Sequence, residues 1–158
     1  MARPTRNSNP DGIARSNRTF FATTRTAMGH RLLQSERNAT LLIDVLRSNV
    51  AALKFQLADF VIMPDHVHLL ITVNESMTIE KAMQLIKGSF SHRLKKEFGY
   101  LGEVWQKGFS EVRVNTDEES VRFRKYIQMN PVKAGLVNAP ESYPYCFAYL
   151  ANKKLLRG

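Results

Sequence analysis

Two consecutive apolar segments constrain the fold of this chain more than any other feature. Residues 55–63 and 66–73 have the length and composition of β-strands, and Pro64-Asp65 between them is a pair typical of turns. Apolar side chains occupy both faces of each segment, whereas a half-exposed strand alternates apolar with polar residues. The sequence therefore predicts two strands, joined by a turn, within a central sheet that is covered.

Helical and strand patterns on either side of this pair set the fold class. The predicted order is a strand at 19–25, a helix from Ser35, the two strands, a helix from Thr78 to about Gly99, a strand ending at Val114 and a helix from Thr116. Pro131 is predicted to limit the last helix and to open a short turn that stops at Gly135. The stretch after it is predicted to be irregular. This order indicates an α+β fold in which helices cover one sheet.

The length of 158 residues corresponds to one domain. We expect a disordered basic arm at 1–17, a folded domain at 18–150 and a C-terminal tail at 151–158. No apolar run approaches the ~20 residues that cross a bilayer, and the single cysteine, Cys146, excludes an intramolecular disulfide. The sequence thus predicts a cytoplasmic protein without a membrane partner.

Net charge indicates the class of partner. With 23 Lys and Arg against 14 Asp and Glu, the formal net charge is +9, which suits a polyanion, nucleic acid first and an anionic membrane second. A basic protein that is merely soluble is the alternative. The helix from Thr78 carries most of its cations on the face opposite its apolar residues. These are Lys81, Lys87, Arg93, Lys95 and Lys96, which form either a phosphate-binding face or a solvated one.

Two pairs of side chains are candidates for a chemical site. His66 and His68 flank Val67 in a predicted strand and so project from one face, as two ligands of a divalent metal would. Tyr126 and Asn130, four residues apart on the predicted last helix, can reach one spot. The alternative is that each histidine is hydrogen-bonded separately and that the tyrosine and asparagine only pack and end the helix.

Residues 126–137, Tyr-Ile-Gln-Met-Asn-Pro-Val-Lys-Ala-Gly-Leu-Val, resemble the signature of the REP-associated tyrosine transposases, relatives of the single-tyrosine HUH transposases. Segments 60–73, 87–94 and 104–109 resemble the same family in the same order, so the likeness covers roughly residues 19–147. Gln128 and Val112 depart from it, because many members have histidine at the first position and a subset has histidine at the second.

The resemblance implies a ferredoxin-like antiparallel sheet and an enzyme that cleaves and transfers single-stranded DNA through a 5′-phosphotyrosine link. It implies Tyr126 as nucleophile, with His66, His68 and Asn130 holding Mg²⁺ or Mn²⁺, and a REP-type DNA hairpin as substrate. The predicted DNA-binding residues are Arg25, Lys87, Arg93, Lys95, Lys96, Trp105, Lys107 and Lys133, although Trp105 suits the core equally well.

Three alternatives remain open. The chain could be a non-catalytic DNA- or RNA-binding module, a metal-dependent hydrolase that uses water, or the transposase of a mobile insertion sequence. Whether it is a monomer or a homodimer is equally open at this stage.

Overall fold

The computed structural model describes residues 17–157, and the predicted basic arm lies outside the described residues except for Asn17. The elements are β1 (Arg18–Arg25), α1 (Glu36–Ala51), β2 (Gln56–Met63), β3 (His66–Val73), α2 (Ile79–Phe98), β4 (Ser110–Val114), α3 (Asp117–Lys133) and α4 (Phe147–Arg157), with single 3₁₀ turns at Ala27–Gly29 and Pro140–Ser142.

The four strands form one antiparallel sheet in the order β2-β3-β1-β4. Connected as β-α-β-β-α-β, this arrangement is ferredoxin-like, so the predicted α+β class is confirmed. In the central pair of strands, His68 lies opposite Thr23 and His66 lies opposite Arg25. Directly opposed residues share a face, and this register therefore decides which side chains of β1 surround the histidines.

Each face of the sheet is covered by helices. Val67, Leu69 and Ile71 of β3 pack with the buried residues of α1 and α2. Leu70, which points the other way, packs with Ile127 of α3. His66 and His68 have the same parity as Leu70, so they lie on the α3 face.

The helix ends follow the local sequence signals. Ser35 and Thr78 accept hydrogen bonds from the third residue of the helix that each one caps, and Thr116 forms a capping box with Glu119. Gly99 ends α2 in the left-handed conformation, with φ of 65°, which glycine adopts without steric cost. These four predicted boundaries are confirmed.

The prediction for Pro131 is wrong by about one turn. Helix α3 continues through Pro131 to Lys133, and Gly135 follows with φ of 77°. A proline in a helix lacks the N–H donor, and its ring crowds the carbonyl four residues earlier, here that of Ile127. Pro131 is buried, and its carbonyl accepts a hydrogen bond from Leu136 N. Burial of the ring and this end bond hold the last turn in place.

The chain after α3 returns to the free edge of β2. Ile62 N donates to the Tyr145 carbonyl at 2.9 Å, and Val61 and Cys146 form a β-bridge. Helix α4 (Phe147–Arg157) follows, a helix that the sequence did not predict, and it runs across the expected boundary between the domain and the tail at 150/151. Within residues 17–157, no helix combines the length and the apolarity that a membrane span requires.

Candidate active site

His66 and His68 lie side by side on the α3 face of β3. Their ring centroids are 4.8 Å apart with an angle of 75° between the planes. His68 is 4% exposed, whereas His66 is half-buried. The strand alternation predicted from the sequence therefore brings the two imidazoles together.

Each imidazole is held by a second side chain at Nδ1. His66 Nδ1 lies 2.7 Å from the Asp65 carboxylate, and His68 Nδ1 lies 2.8 Å from Thr23 Oγ1. A proton on Nδ1, donated to these oxygens, leaves the lone pair of each Nε2 free, which is how histidine ligands of metals are commonly oriented. Burial lowers the pKa of His68 to about 3, with smaller contributions from the charges of His66 and Arg25. His68 is therefore neutral near pH 7, the form that binds metal.

Helix α3 places Tyr126 against the same pair. Ile127 is fully buried among Val61, Met63 and Leu70, and this anchor turns the adjacent Tyr126 toward β1 and β3. The Tyr126 ring lies 5.3 Å from the His68 ring, edge to face, and is 44% exposed. A phenol in this position contacts His68 and is still open to a large substrate.

Asn130 lies one turn after Tyr126 on α3 and is half-buried. The spacing places it on the same side of the helix as Tyr126, as predicted. Its backbone carbonyl accepts a hydrogen bond from Ala134 N, so the helix is regular at this point.

Phe21 is the residue at this site that sequence reasoning missed. Its ring stacks on Phe123 at 4.6 Å and on His68 at 5.3 Å, and it meets Tyr126 edge to face at 5.8 Å. Phe21 therefore touches both the strand that carries the histidines and the helix that carries the tyrosine. Its spacing from Thr23 in a predicted strand was a signal that the two share a face, but only the β1–β3 register shows that this face holds His68.

The residues at this site fit a divalent metal ion held by the ligands that the sequence predicts. In the part of the chain that the structure describes, no three His, Cys, Asp or Glu side chains cluster as a metal site. Two imidazoles, with the amide oxygen of Asn130 that the sequence predicts as third ligand, would form a different donor set, which leaves positions open for phosphate oxygens and water. The oriented Nδ1 atoms of both histidines support this fit.

Gln128, one of the two positions at which the sequence departs from the resemblance, lies on α3. Its Nε2 lies 3.5 Å from Oδ2 of Asp59, a buried residue of β2 that also accepts a hydrogen bond from Phe60 N. Burial raises the pKa of Asp59, although these hydrogen bonds and the charge of Arg124 oppose that shift. The contact fastens α3 to β2 on the side of the helix away from Tyr126. Val112, the other departure, is exposed on the edge strand β4.

Three of the predicted DNA-binding residues lie near the histidine end of the sheet or on α3. Arg25 lies opposite His66 on the same face, and Lys133 ends α3. Lys107 follows Gln106, whose N–H donates to the Arg25 carbonyl at 2.8 Å.

The predicted DNA-binding residues of α2 are placed differently, because α2 lies on the opposite face of the sheet. Arg93 forms ion pairs with Asp44 and Glu97, each at 2.6 Å. Lys87 Nζ donates to the carbonyls of Gln106 and Gly108. Lys95 and Lys96 are exposed in the last turn of the helix.

Trp105 serves mainly in packing. Its Nε1 donates to the Lys87 carbonyl at 2.9 Å, and its ring lies 5.5 Å from the fully buried Phe90. With Met83 and Phe109 it lines a groove of about 370 Å³ beside α2, on the face away from the histidines. The structure therefore favours packing of Trp105 in the core over the alternative that the sequence left open, stacking on DNA bases.

Comparison with known proteins places these observations in a family. The sequence model of the IS200-like transposases matches residues 21–130, a range that contains His66, His68, Tyr126 and Asn130. A protein of Haemophilus influenzae, provisionally named a REP-associated tyrosine transposase, is 26% identical over 131 residues, which are 72% of this chain and 74% of that protein.

Two solved structures share the fold. One is a REP-associated tyrosine transposase bound to a REP hairpin, with a TM-score of 0.67 and 23% identity over 92% of this chain and 82% of that one. The other is a provisionally assigned transposase of Deinococcus radiodurans, with a TM-score of 0.55 and 20% identity over 80% of this chain and 95% of that one.

Proposed function

The chain belongs to the IS200-like transposase family, a family of DNA-cleaving and DNA-joining enzymes, and from this premise we propose that Tyr126 is the nucleophile that cuts a single DNA strand. The observation that carries the proposal is the contact between the Tyr126 and His68 rings, 5.3 Å apart on one face of the sheet. The two residues come from segments 58 positions apart in the sequence, and the fold brings the buried His68 against a tyrosine that is open to solvent.

In the proposed reaction the Tyr126 hydroxyl oxygen attacks the scissile phosphorus. The new bond is a 5′-phosphotyrosine ester, the bond to the 3′-oxygen breaks, and the proton of the phenol is balanced by the proton that the departing 3′-hydroxyl gains. Because the phosphodiester energy is retained in the ester, attack by a 3′-hydroxyl rejoins the strand without ATP. A phenol has a pKa of about 10, so its proton must be drawn off as the bond forms.

His66 Nε2, His68 Nε2 and the Asn130 side-chain oxygen would hold a Mg²⁺ or Mn²⁺ ion at this site. Such an ion supplies charge that polarises the phosphoryl oxygen and orients the scissile group. The chain's own part is to hold both imidazoles in position, through Asp65 and Thr23, and to place the phenol beside His68.

The proposed substrate is an unpaired strand attached to a DNA hairpin of REP type. Support comes from the family and from the similar fold of a transposase that binds a REP hairpin. A tyrosine on a helix must bring one phosphate into line with its hydroxyl, which the stacking of a regular duplex would hinder. We place this activity in the cytoplasm and leave the monomer and the homodimer as equal alternatives.

Covalent trapping tests the proposal against its rivals. Hairpin oligonucleotides with single-stranded flanks, labelled at the 3′ end, are incubated with Mn²⁺ and resolved on a denaturing gel. Wild type and Tyr100→Phe should give a labelled protein–DNA adduct, and Tyr126→Phe should give none. Tyr100 is the matched control because its hydroxyl, among residues 17–157, makes a single long hydrogen bond of 3.4 Å to the Glu103 carbonyl in the loop after α2.

Other outcomes separate the alternatives. Cleavage without an adduct would indicate a hydrolase that uses water, and strand binding without cleavage in Mn²⁺ would indicate a binding module. An adduct formed by Tyr126→Phe would refute the assignment of the nucleophile. Genomic DNA around the gene separates a domesticated enzyme from the transposase of a mobile element, because an element carries its own ends beside the gene.

A further inference from the structure

Resting on the proposed function, we infer that the cleaved strand runs along the side of α3 that carries Tyr126. We call this side, defined by Arg122, Tyr126 and Lys133, the tyrosine flank. Arg122 and Lys133 would hold phosphates on the two sides of the scissile one, and Arg25 would hold the strand from the sheet side. The cations of α2 would take no part in holding this strand.

Helix geometry places the three residues of the flank together. Arg122 is one turn before Tyr126 and Lys133 is two turns after it, and both spacings return to the same side of a helix with 3.6 residues per turn. Ile127, on the adjoining side of α3, packs against the sheet and leaves this side outward. At about 1.5 Å per residue the flank is about 16 Å long, enough for several phosphates of an extended strand.

The charges on this flank are available for phosphate. Arg122 and Lys133 are exposed, and among residues 17–157 neither forms an ion pair within 4.0 Å. The acidic residues of α3 are confined to its first turn, at Asp117, Glu118 and Glu119. The flank is therefore positive from Arg122 onward and negative before it, which limits the strand to the stretch that contains the tyrosine.

Arg25 supplies a cation across the site from α3. It lies opposite His66 in the β1–β3 register and therefore on the α3 face. A phosphate between Tyr126 and the histidines thus has Arg25 on one side and the tyrosine flank on the other.

The cations of α2 are separated from this path by the sheet. Helix α2 packs on the face opposite Tyr126. Arg93 is neutralised by two carboxylates, and Lys87 is engaged by two backbone carbonyls. Lys95 and Lys96, in the last turn of α2, are an exposed pair of comparable charge.

The test measures binding of a non-self-complementary single-stranded oligonucleotide without metal, in the Tyr126→Phe background. Arg122→Glu with Lys133→Glu should weaken binding at low salt at least tenfold and flatten the slope of log K against log[salt] by about 1.4, because each lost phosphate contact removes about 0.7. Arg47→Glu with Lys54→Glu, on and after α1, changes the net charge equally and should leave the slope unchanged.

A second pair of variants addresses the competing surface. Lys95→Glu with Lys96→Glu should also leave the slope for the unpaired strand unchanged. The inference would be overturned if the Lys95 and Lys96 variant lost as much strand affinity as the Arg122 and Lys133 variant. It would also be overturned if the Arg122 and Lys133 variant kept the wild-type salt slope. If the glutamate variants melt early, Arg122→Gln with Lys133→Gln should still flatten the slope.

The binding test of the tyrosine flank can be separated from the test of the proposed cleavage reaction. If wild type forms no adduct but the flank variants lose strand affinity, the proposed reaction fails and the surface stands. If wild type forms the adduct and the flank variants bind the strand as tightly as Tyr126→Phe alone does, the reaction stands and the surface fails.

Discussion

Replacing Phe21 by leucine should uncouple the tyrosine from the histidines. Leucine keeps an apolar side chain but removes the ring that stacks on Phe123 and His68 and meets Tyr126 at its edge. Aromatic pairs contribute about 0.5–1.5 kcal/mol each beyond the area they bury, so loss of the two stacked contacts should lower the free energy of unfolding by about 1–3 kcal/mol. Helix α3 should at the same time be held less firmly against β3, so that Tyr126 is less well aligned with His68.

Phe20→Leu is the matched control. Phe20 is the neighbouring residue on β1, is 7% exposed and packs on the face covered by α1 and α2. Urea unfolding followed by circular dichroism should show a loss of stability in both variants. A Mn²⁺ titration of hairpin cleavage, at a temperature where both are folded, should show a higher half-saturating concentration and a lower maximal rate for Phe21→Leu alone.

Identical Mn²⁺ curves for the two leucine variants would refute this reasoning. Phe21 would then be a packing residue whose only contribution is to stability, and the alignment of Tyr126 with His68 would depend on α3 alone.

Three further predictions concern Asn130 and His66 in the site and Asp59, which contacts α3 from β2. Asn130→Asp should retain Mn²⁺-dependent cleavage but prefer a different metal, and Asn130→Gly should need far more metal for cleavage. Superimposable Mn²⁺ titrations for both variants and wild type would remove Asn130 from the site. His66→Ala should lose metal-dependent cleavage while its DNA affinity, measured by fluorescence anisotropy across a salt series, stays close to that of wild type, since phosphate contacts dominate affinity. Burial raises the pKa of the Asp59 carboxyl in the folded protein above its value in the unfolded chain. The stability that the protonated carboxyl contributes is therefore fully present below the unfolded-state pKa and is lost as pH rises through the folded-state pKa. Asp59→Asn should therefore raise the melting temperature more at pH 8 than at pH 4, and an equal change at both values would count against a buried charge.

The sequence predicts the parts of the site that depend on local periodicity. Alternation along a strand is enough to place His66 and His68 on one face, and the spacing along a helix is enough to pair Tyr126 with Asn130. Caps at Ser35, Thr78 and Thr116 were predictable for the same reason, because a cap is a contact within three residues of itself.

The parts that were missed depend on contacts between distant segments. Phe21 and Thr23 reach His68 only because β1 pairs with β3 in one particular register, and no local pattern in β1 states that register. The separation of the α2 cations from the tyrosine likewise follows from which face each helix covers. Pro131 was misjudged because its intrinsic preference was weighed without the burial that holds it inside α3.

The return of the chain to β2 has a consequence for self-association. Tyr145 and Cys146 occupy the outer side of β2, so within residues 17–157 the sheet can be extended only at β4. There Glu111 and Arg113 flank the exposed Val112. A second copy aligned antiparallel about Glu111 or about Arg113 would set like charges directly opposite each other, whereas alignment about Val112 would set glutamate opposite arginine. The open edge therefore discriminates among registers, and such charged edges oppose the indiscriminate stacking that leads to aggregation.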